Sequence, residues 1–180
     1  MENQELQQLS YPIGTYVIPD SITPTHLKAW ITVLETLPQR LTTLVTGLDD
    51  TQLNTPYRTG GWSVRQVVHH LSDSHHHSYV RFKWALTEDN PIIKPYMEKE
   101  WANLFDSQIA PIGPSLNHLS AVHAKLVYLL KGLSTEQWQR TFTHPADQIT
   151  TTLAENAGRY AWHSDHHFAH INNLILRKGW

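Results

Sequence analysis

Four histidines fall within eight residues near the C-terminus, in Tyr160-Ala161-Trp162-His163-Ser164-Asp165-His166-His167-Phe168-Ala169-His170. A second group lies upstream, His69-His70 followed by His75-His76-His77. The chain has 13 histidines and no cysteine, so a metal ion would have to be held by imidazole and carboxylate groups. Histidines four apart on a helix face the same way, about 6 Å from one another. A third imidazole from another helix would complete a three-histidine site with open positions, the layout of catalytic rather than structural zinc. The lack of cysteine also removes disulfides and thiolate nucleophiles.

Both histidine groups must sit on helices for that geometry to hold, and helical periodicity dominates the chain. Thr23-Pro24 offers an N-cap with proline in the first turn. Trp30, Val33, Leu34, Leu37, Leu41, Leu44 and Leu48 then recur at helical spacing. Pro38 inside that run predicts a kink or a break. Ser63-Val64-Arg65-Gln66 is a capping box, opening a second helix expected to reach about Leu86. A long connection with Pro91, Pro95, Pro111, Gly113 and Pro114 follows, with Trp101, Leu104 and Phe105 as candidate anchors. A third helix is expected from about Ser115, carrying Leu116, Leu119, Leu126, Leu130 and Leu133, with His123 in register. A short helix is expected at Ser134 to Gln137. The last helix, capped by Thr152 and Glu155, should run to about Arg177. The expected fold is all-α, a four-helix bundle with one extended crossover. It forms a single domain over residues 1–180, with an irregular N-terminal arm over about residues 1–22.

A helical wheel sorts the histidines. On the last helix, Leu153, Tyr160, His167, Ile171 and Leu174 share a stripe, and His163 lies roughly 40° to one side of His167. The pair His163/His167 is therefore favoured as inward over His166/His170. His166 shares a flank with Arg159 and Arg177 and reads as solvent-facing. On the second helix, His69 and His76 share their side with Arg65 and Lys83 and read as solvated. His70 borders the core on a strip with Ser63, Gln66, Ser74, His77 and Arg81, and geometry leaves His77 as its alternative. The triplet His75 to His77 spans three faces and reads as mostly surface. His123 reads as a hydrogen-bonded core residue.

Composition narrows the function. A formal charge of -2, with lysines and arginines scattered rather than striped, lacks the basic footprint of a nucleic-acid binder. No apolar run approaches a membrane span and the first residues are polar. The expected setting is cytoplasmic.

The run Tyr57-Arg58-Thr59-Gly60-Gly61-Trp62-Ser63-Val64-Arg65-Gln66-Val67-Val68-His69-His70-Leu71-Ser72-Asp73-Ser74-His75 resembles the signature of the YfiT-like branch of the DinB-like metalloenzyme superfamily. Tyr79-Val80-Arg81-Phe82-Lys83, Leu86 to Pro91, Lys94-Pro95-Tyr96 and Trp162-His163-Ser164…His167-Phe168-Ala169-His170-Ile171 match it too. The resemblance covers nearly the whole chain. It implies a four-helix bundle, often dimeric, that binds nickel or zinc through three histidines. Carried onto this sequence, those are His70, the second histidine of Val-Val-His-His, and the pair His163 and His167 that begins right after the tryptophan. The wheel favours the same three residues, with His77 as the alternative to His70. Proteins of this branch are described as metal-dependent hydrolases or as thiol S-transferases that use bacillithiol; more distant members use mycothiol or glutathione.

Two reactions fit one divalent ion per subunit, zinc or nickel. The ion can lower the pKa of water for hydrolysis of an ester or amide, or stabilise the thiolate of a small-molecule thiol for transfer to an electrophile. No His-Glu-x-x-His motif supplies a general base beside the first ligand, which tilts the sequence reading toward thiol transfer. A non-catalytic metal-binding bundle is the third possibility. No catalytic residue beyond the ligands is assigned. Asp73, Glu155, Asp165 and His123 are candidates for orienting imidazoles, and Arg81 for meeting an anion or forming a salt bridge. A small-molecule substrate and a homodimer complete the expectation.

Overall fold

A computed structural model describes residues 2–146 and 148–180. In chain order its elements are α1 (Glu2–Ser10), α2 (Pro24–Val45), α3 (Asp50–Leu53), α4 (Val64–Thr87), α5 (Glu98–Ala102), α6 (Phe105–Ile109), α7 (Gly113–Lys131), α8 (Thr135–Trp138), β1 (Thr141–His144), β2 (Ile149–Thr152) and α9 (Leu153–Lys178). Four of them are long, and they make a four-helix bundle: α2 packs on α7 and α9, and α4 packs on the same two. Successive helices α2 and α4 thus lie diagonally, as do α7 and α9, and the connections cross the bundle rather than hug its side.

The local signals account for the boundaries. Thr23, Ser63, Ser134 and Thr152 each accept a hydrogen bond from the backbone N–H three residues on, with a reciprocal side-chain bond closing the box. Each therefore satisfies donors that a helix start leaves orphaned. Gly179 ends α9 in the left-handed region at φ 69°, where glycine carries no Cβ penalty. No helix among the described residues is long and apolar enough to cross a membrane.

Four expectations need correction. The arm is not irregular throughout, because residues 2–10 form α1. A small antiparallel hairpin, β1 with β2, precedes α9 and pairs Thr141 with Thr152 and His144 with Ile149. α2 is unbroken at Pro38. Trp101, Leu104 and Phe105 stay exposed, and the crossover is anchored instead by Ile93 and Ala102. Trp101 packs edge-on against His77 and Tyr96, so it covers a ring rather than entering the core.

The interior is layered. One apolar cluster gathers Leu34, Phe82, Ala85, Leu126, Leu130, Leu153 and Tyr160. The other gathers Leu37, Leu41, Val64, Val67, Val68, Leu71, Leu119, Ile171 and Leu174. Between them three of the long helices change character. α4 carries Ser72, Ser74, His75 and Ser78, α7 carries His123, and α9 carries Ser164, His166, His167 and His170, all buried. A polar histidine–serine layer is thus clamped between two dry layers, where polar groups must find partners.

The arm is pinned where α9 has no side chain. A Cβ at Gly158 would lie 2.6 Å from Tyr16 Oη and 2.9 Å from the Trp30 ring. Gly158→Ala should therefore lower stability by about 1–3 kcal/mol through overpacking, despite alanine's higher helix propensity. A thermal melt checks this, and an unchanged or raised Tm would show that the arm moves aside freely.

Candidate metal centre

His70 on α4 meets His163 and His167 on α9 at the face of the polar layer that opens outward. Nε2 of His70 lies 3.1 Å from Nε2 of His163. Ring centroids are 5.2 Å apart for His70–His163, 4.8 Å for His70–His167 and 4.5 Å for His163–His167. One ligand atom from each residue falls within 4.8 Å of the others. Metal–nitrogen bonds of about 2.0–2.1 Å at angles between octahedral and tetrahedral put two nitrogens roughly 2.9–3.4 Å apart; the His70–His163 edge already has that separation, and His167 lies close enough to close the triangle on a divalent ion. The donor chemistry fits as well. Burial pushes the pKa of His70 down to about 4, with the charge of His166 adding to the effect. It carries those of His163 and His167 well below the ordinary imidazole value, assisted by the neighbouring histidines. All three are neutral at pH 7, with lone pairs available.

Trp62 walls the site, its ring 4.7 Å from His70 and stacked at 18° on His167. The capping box that starts α4 at Ser63 fixes where that ring stands. Above the triangle lies a cavity of about 520 Å³, bounded by Trp62, Tyr96, Tyr160, Arg58, Arg81 and Glu98 among others. A groove of similar size, about 550 Å³, runs along α2 and α7; it lacks a triangle of ligand groups. Volume alone does not single out the site, whereas the imidazoles do.

His77, the alternative to His70, stacks on Tyr96 at 4.3 Å and 8° and stays out of the triangle. Asp165 pairs with Arg40 at 2.9 Å, and Glu155 caps its own helix through Thr152, so neither orients an imidazole. Asp73 is half-buried, its pKa raised to about 6 first by burial and then by the charge of Asp106. His123 does join the network: its Nε2 is 2.8 Å from Nδ1 of His75, whose Nε2 is 3.1 Å from Nδ1 of His163.

Three histidines read as solvent-facing are buried. His75 is 0% exposed. It stands four residues after Leu71 and seven before Phe82, on their face, and that spacing was the available signal. His69 is covered by the end of the crossover at Ala110 and by the first turn of α7, with Ser115 Oγ 2.7 Å from its Nδ1. The same stretch buries Arg65, which donates to Ala110 O at 2.8 Å and pairs with Asp50 at 2.6 Å. His166 is stacked on Trp162 at 4.4 Å with Tyr11 beyond it; the folded-back arm replaces water on that flank. His76 is exposed as expected, beside His118. A second trio, His166, His167 and His170, also lies within ligand distance of itself.

The model of the DinB superfamily matches residues 34–171. The chain belongs to the DinB superfamily. It is 49% identical over 172 residues to YfiT of Bacillus subtilis (strain 168), covering 96% of this chain and 97% of that one. It is 47% identical over 175 residues to a Bacillus pumilus protein, covering 97% and 99%. Both carry the name "Putative metal-dependent hydrolase". The solved structure of Bacillus subtilis YfiT superposes with a TM-score of 0.94 at 49% identity, covering 96% of this chain and 99% of that one. It is described as a probable metal-dependent hydrolase with an unusual four-helix bundle topology. The diagonal order of helices in this DinB-superfamily chain gives that description a structural counterpart.

Proposed function

We propose that the chain is a metal-dependent hydrolase of a small molecule, with a divalent ion held by His70, His163 and His167. The observation that supports this best is the triangle of three neutral imidazoles at the floor of a cavity of about 520 Å³. A nitrogen-only donor set suits zinc or nickel. When bound, the ion would supply Lewis acidity and a lowered pKa for water. The chain's own part is to hold three lone pairs in place, to wall the site with Trp62 and Tyr160, and to orient the substrate. The names of the relatives favour hydrolysis, so the order suggested by the sequence is reversed. Thiol transfer stays as the second reading because, among the described residues, no carboxylate belongs to the metal-ligand triangle to act as general base. Glu98, on the cavity wall, is exposed.

The substrate side is cationic. Arg58 and Arg81 line the cavity, and the Nε of each is buried without a hydrogen-bond partner. Neither forms an ion pair with a carboxylate among the described residues, so the salt bridge expected for Arg81 is absent there. An uncompensated guanidinium suits a substrate with a carboxylate or phosphate group. Arg81→Met should raise KM for such a substrate about tenfold, roughly 1.4 kcal/mol, with kcat little changed.

The deciding experiment incubates zinc- or nickel-loaded protein with panels of anionic esters, amides and lactones, and separately with monochlorobimane and low-molecular-weight thiols. Hydrolysis that is lost with chelator and in His167→Ala supports the proposal. Conjugation without hydrolysis replaces it with thiol transfer, and neither activity at any metal load leaves a binding protein. A homodimer belongs to the same proposal, and light scattering should give about twice the 20.7 kDa chain mass.

A further inference from the structure

We propose that two relays of imidazoles, His123–His75–His163 and His170–His167, set the tautomers of two candidate metal ligands from backbone carbonyls that the helices leave free. The first relay begins at Pro38. In α2 the Leu34 carbonyl would ordinarily accept from the N–H of residue 38, and proline has none. Leu34 is fully buried, so its carbonyl needs a donor from elsewhere. Nδ1 of His123 occupies that place.

The protons then follow without further choice. A carbonyl only accepts, so His123 carries its proton on Nδ1. A neutral imidazole has one N–H, which leaves Nε2 of His123 as an acceptor. It takes the Nδ1–H of His75 at 2.8 Å. Nε2 of His75 is then an acceptor too, and takes the Nδ1–H of His163 at 3.1 Å. His163 is left with a lone pair on Nε2, the atom 3.1 Å from Nε2 of His70. The proline expected to kink or break α2 is the origin of this relay.

The second relay starts at Ser10, the last residue of α1, whose carbonyl lacks an intrahelical donor. Nε2 of His170 donates to it at 3.2 Å. Nδ1 of His170 therefore accepts, and Nδ1 of His167 lies 3.4 Å away. His167 carries its proton on Nδ1 and offers Nε2. Tyr57 stacks on His170 at 3.9 Å and 20°, holding the ring for this bond. Both relays thus leave a lone pair on Nε2, of His163 in one and of His167 in the other, before any ion arrives. They also decide between the two trios. His167 cannot give Nδ1 to a second ion beside His166 and His170 while that atom carries the proton, so the chain takes one ion.

His75, His123 and His170 are positioning residues in this account, which rests on the metal-centre reading but is tested apart from it. Long-range 15N–1H correlation spectra of the metal-free protein should show Nδ1–H tautomers at His75, His123, His163 and His167, and Nε2–H at His170. An Nε2–H tautomer at His163 or His167 overturns the proposal even if both bind metal. Zinc affinity, read by competition with a chromophoric chelator, supplies the second test. His75→Leu should weaken it about 10–100-fold, the usual cost of losing a partner behind a ligand. His75→Gln, which can both accept and donate, should recover most of that loss. Equal affinities in wild type and His75→Leu, or two zinc ions per chain, would count against the relays. If His75→Leu does not fold, the wild-type spectra decide.

Discussion

Purified without a tag and loaded with zinc, the wild-type protein is expected to hold about one ion per chain, whereas His70→Ala, His163→Ala and His167→Ala hold far less. Two imidazoles of the triangle remain in each variant, and removal of a direct ligand should cost more than the roughly 100-fold attached to losing a partner behind one. The set of variants carries more information than any one of them. His167 belongs to both histidine trios, so its loss alone does not say which trio binds. His163→Ala breaks only the first and His166→Ala only the second. Elemental analysis should find His163→Ala depleted and His166→Ala close to wild type. His76→Ala, at an exposed position beside His118, is the control. Retention by His163→Ala with loss by His166→Ala would move the centre to the second trio.

Much of this arrangement could be read from residue types and spacing, and the parts that could not share one cause. Capping boxes at Ser63, Ser134 and Thr152 announce helix starts because they satisfy donors that any isolated helix would leave open, so no tertiary knowledge is needed. The inward pair His163 and His167, and His70 opposite, follow from the angular position of each residue on its own helix. A wheel, however, treats everything beyond the apolar stripe as facing water. His166 and His69 fall on such flanks, and other segments cover them: the N-terminal arm through Tyr11, and the end of the crossover through Ala110 with the first turn of α7 through Ser115. His75 was missed for a different reason. It stands on the same face as Leu71 and Phe82, but a histidine triplet reads as surface until the bundle is seen to have a polar layer between two dry ones. Pro38 shows the same limit, since its effect depends on a histidine from α7 that no local pattern connects to it.

That polar layer makes acid the metal-free protein's weak side. Burial pushes His70, His123 and His166 down to about 4 and His170 to about 3, and lowers His75 and His163 and His167 as well. In the unfolded chain the same groups titrate near 6.5. Below that value the unfolded state binds more protons than the native state, so stability is fully present above about pH 6.5 and falls as pH drops toward 4. Each such histidine can remove about 1.4 kcal/mol per pH unit. Three acting together would remove about 4 kcal/mol over one unit, a large part of the 5–15 kcal/mol that holds a typical domain. Circular dichroism melts of the metal-free protein should therefore show Tm falling steeply between pH 6.5 and 5. With zinc the fall should move to lower pH, because binding to the native state alone adds stability and the bound imidazoles must release the ion before taking a proton. A metal-free Tm that stays level from pH 7 to 4.5 would mean that the buried histidines take up protons in the folded state as readily as in the unfolded one. Three cations could not share a triangle this tight, so the neutral lone pairs on which the metal centre depends would have to be abandoned together with the acid prediction.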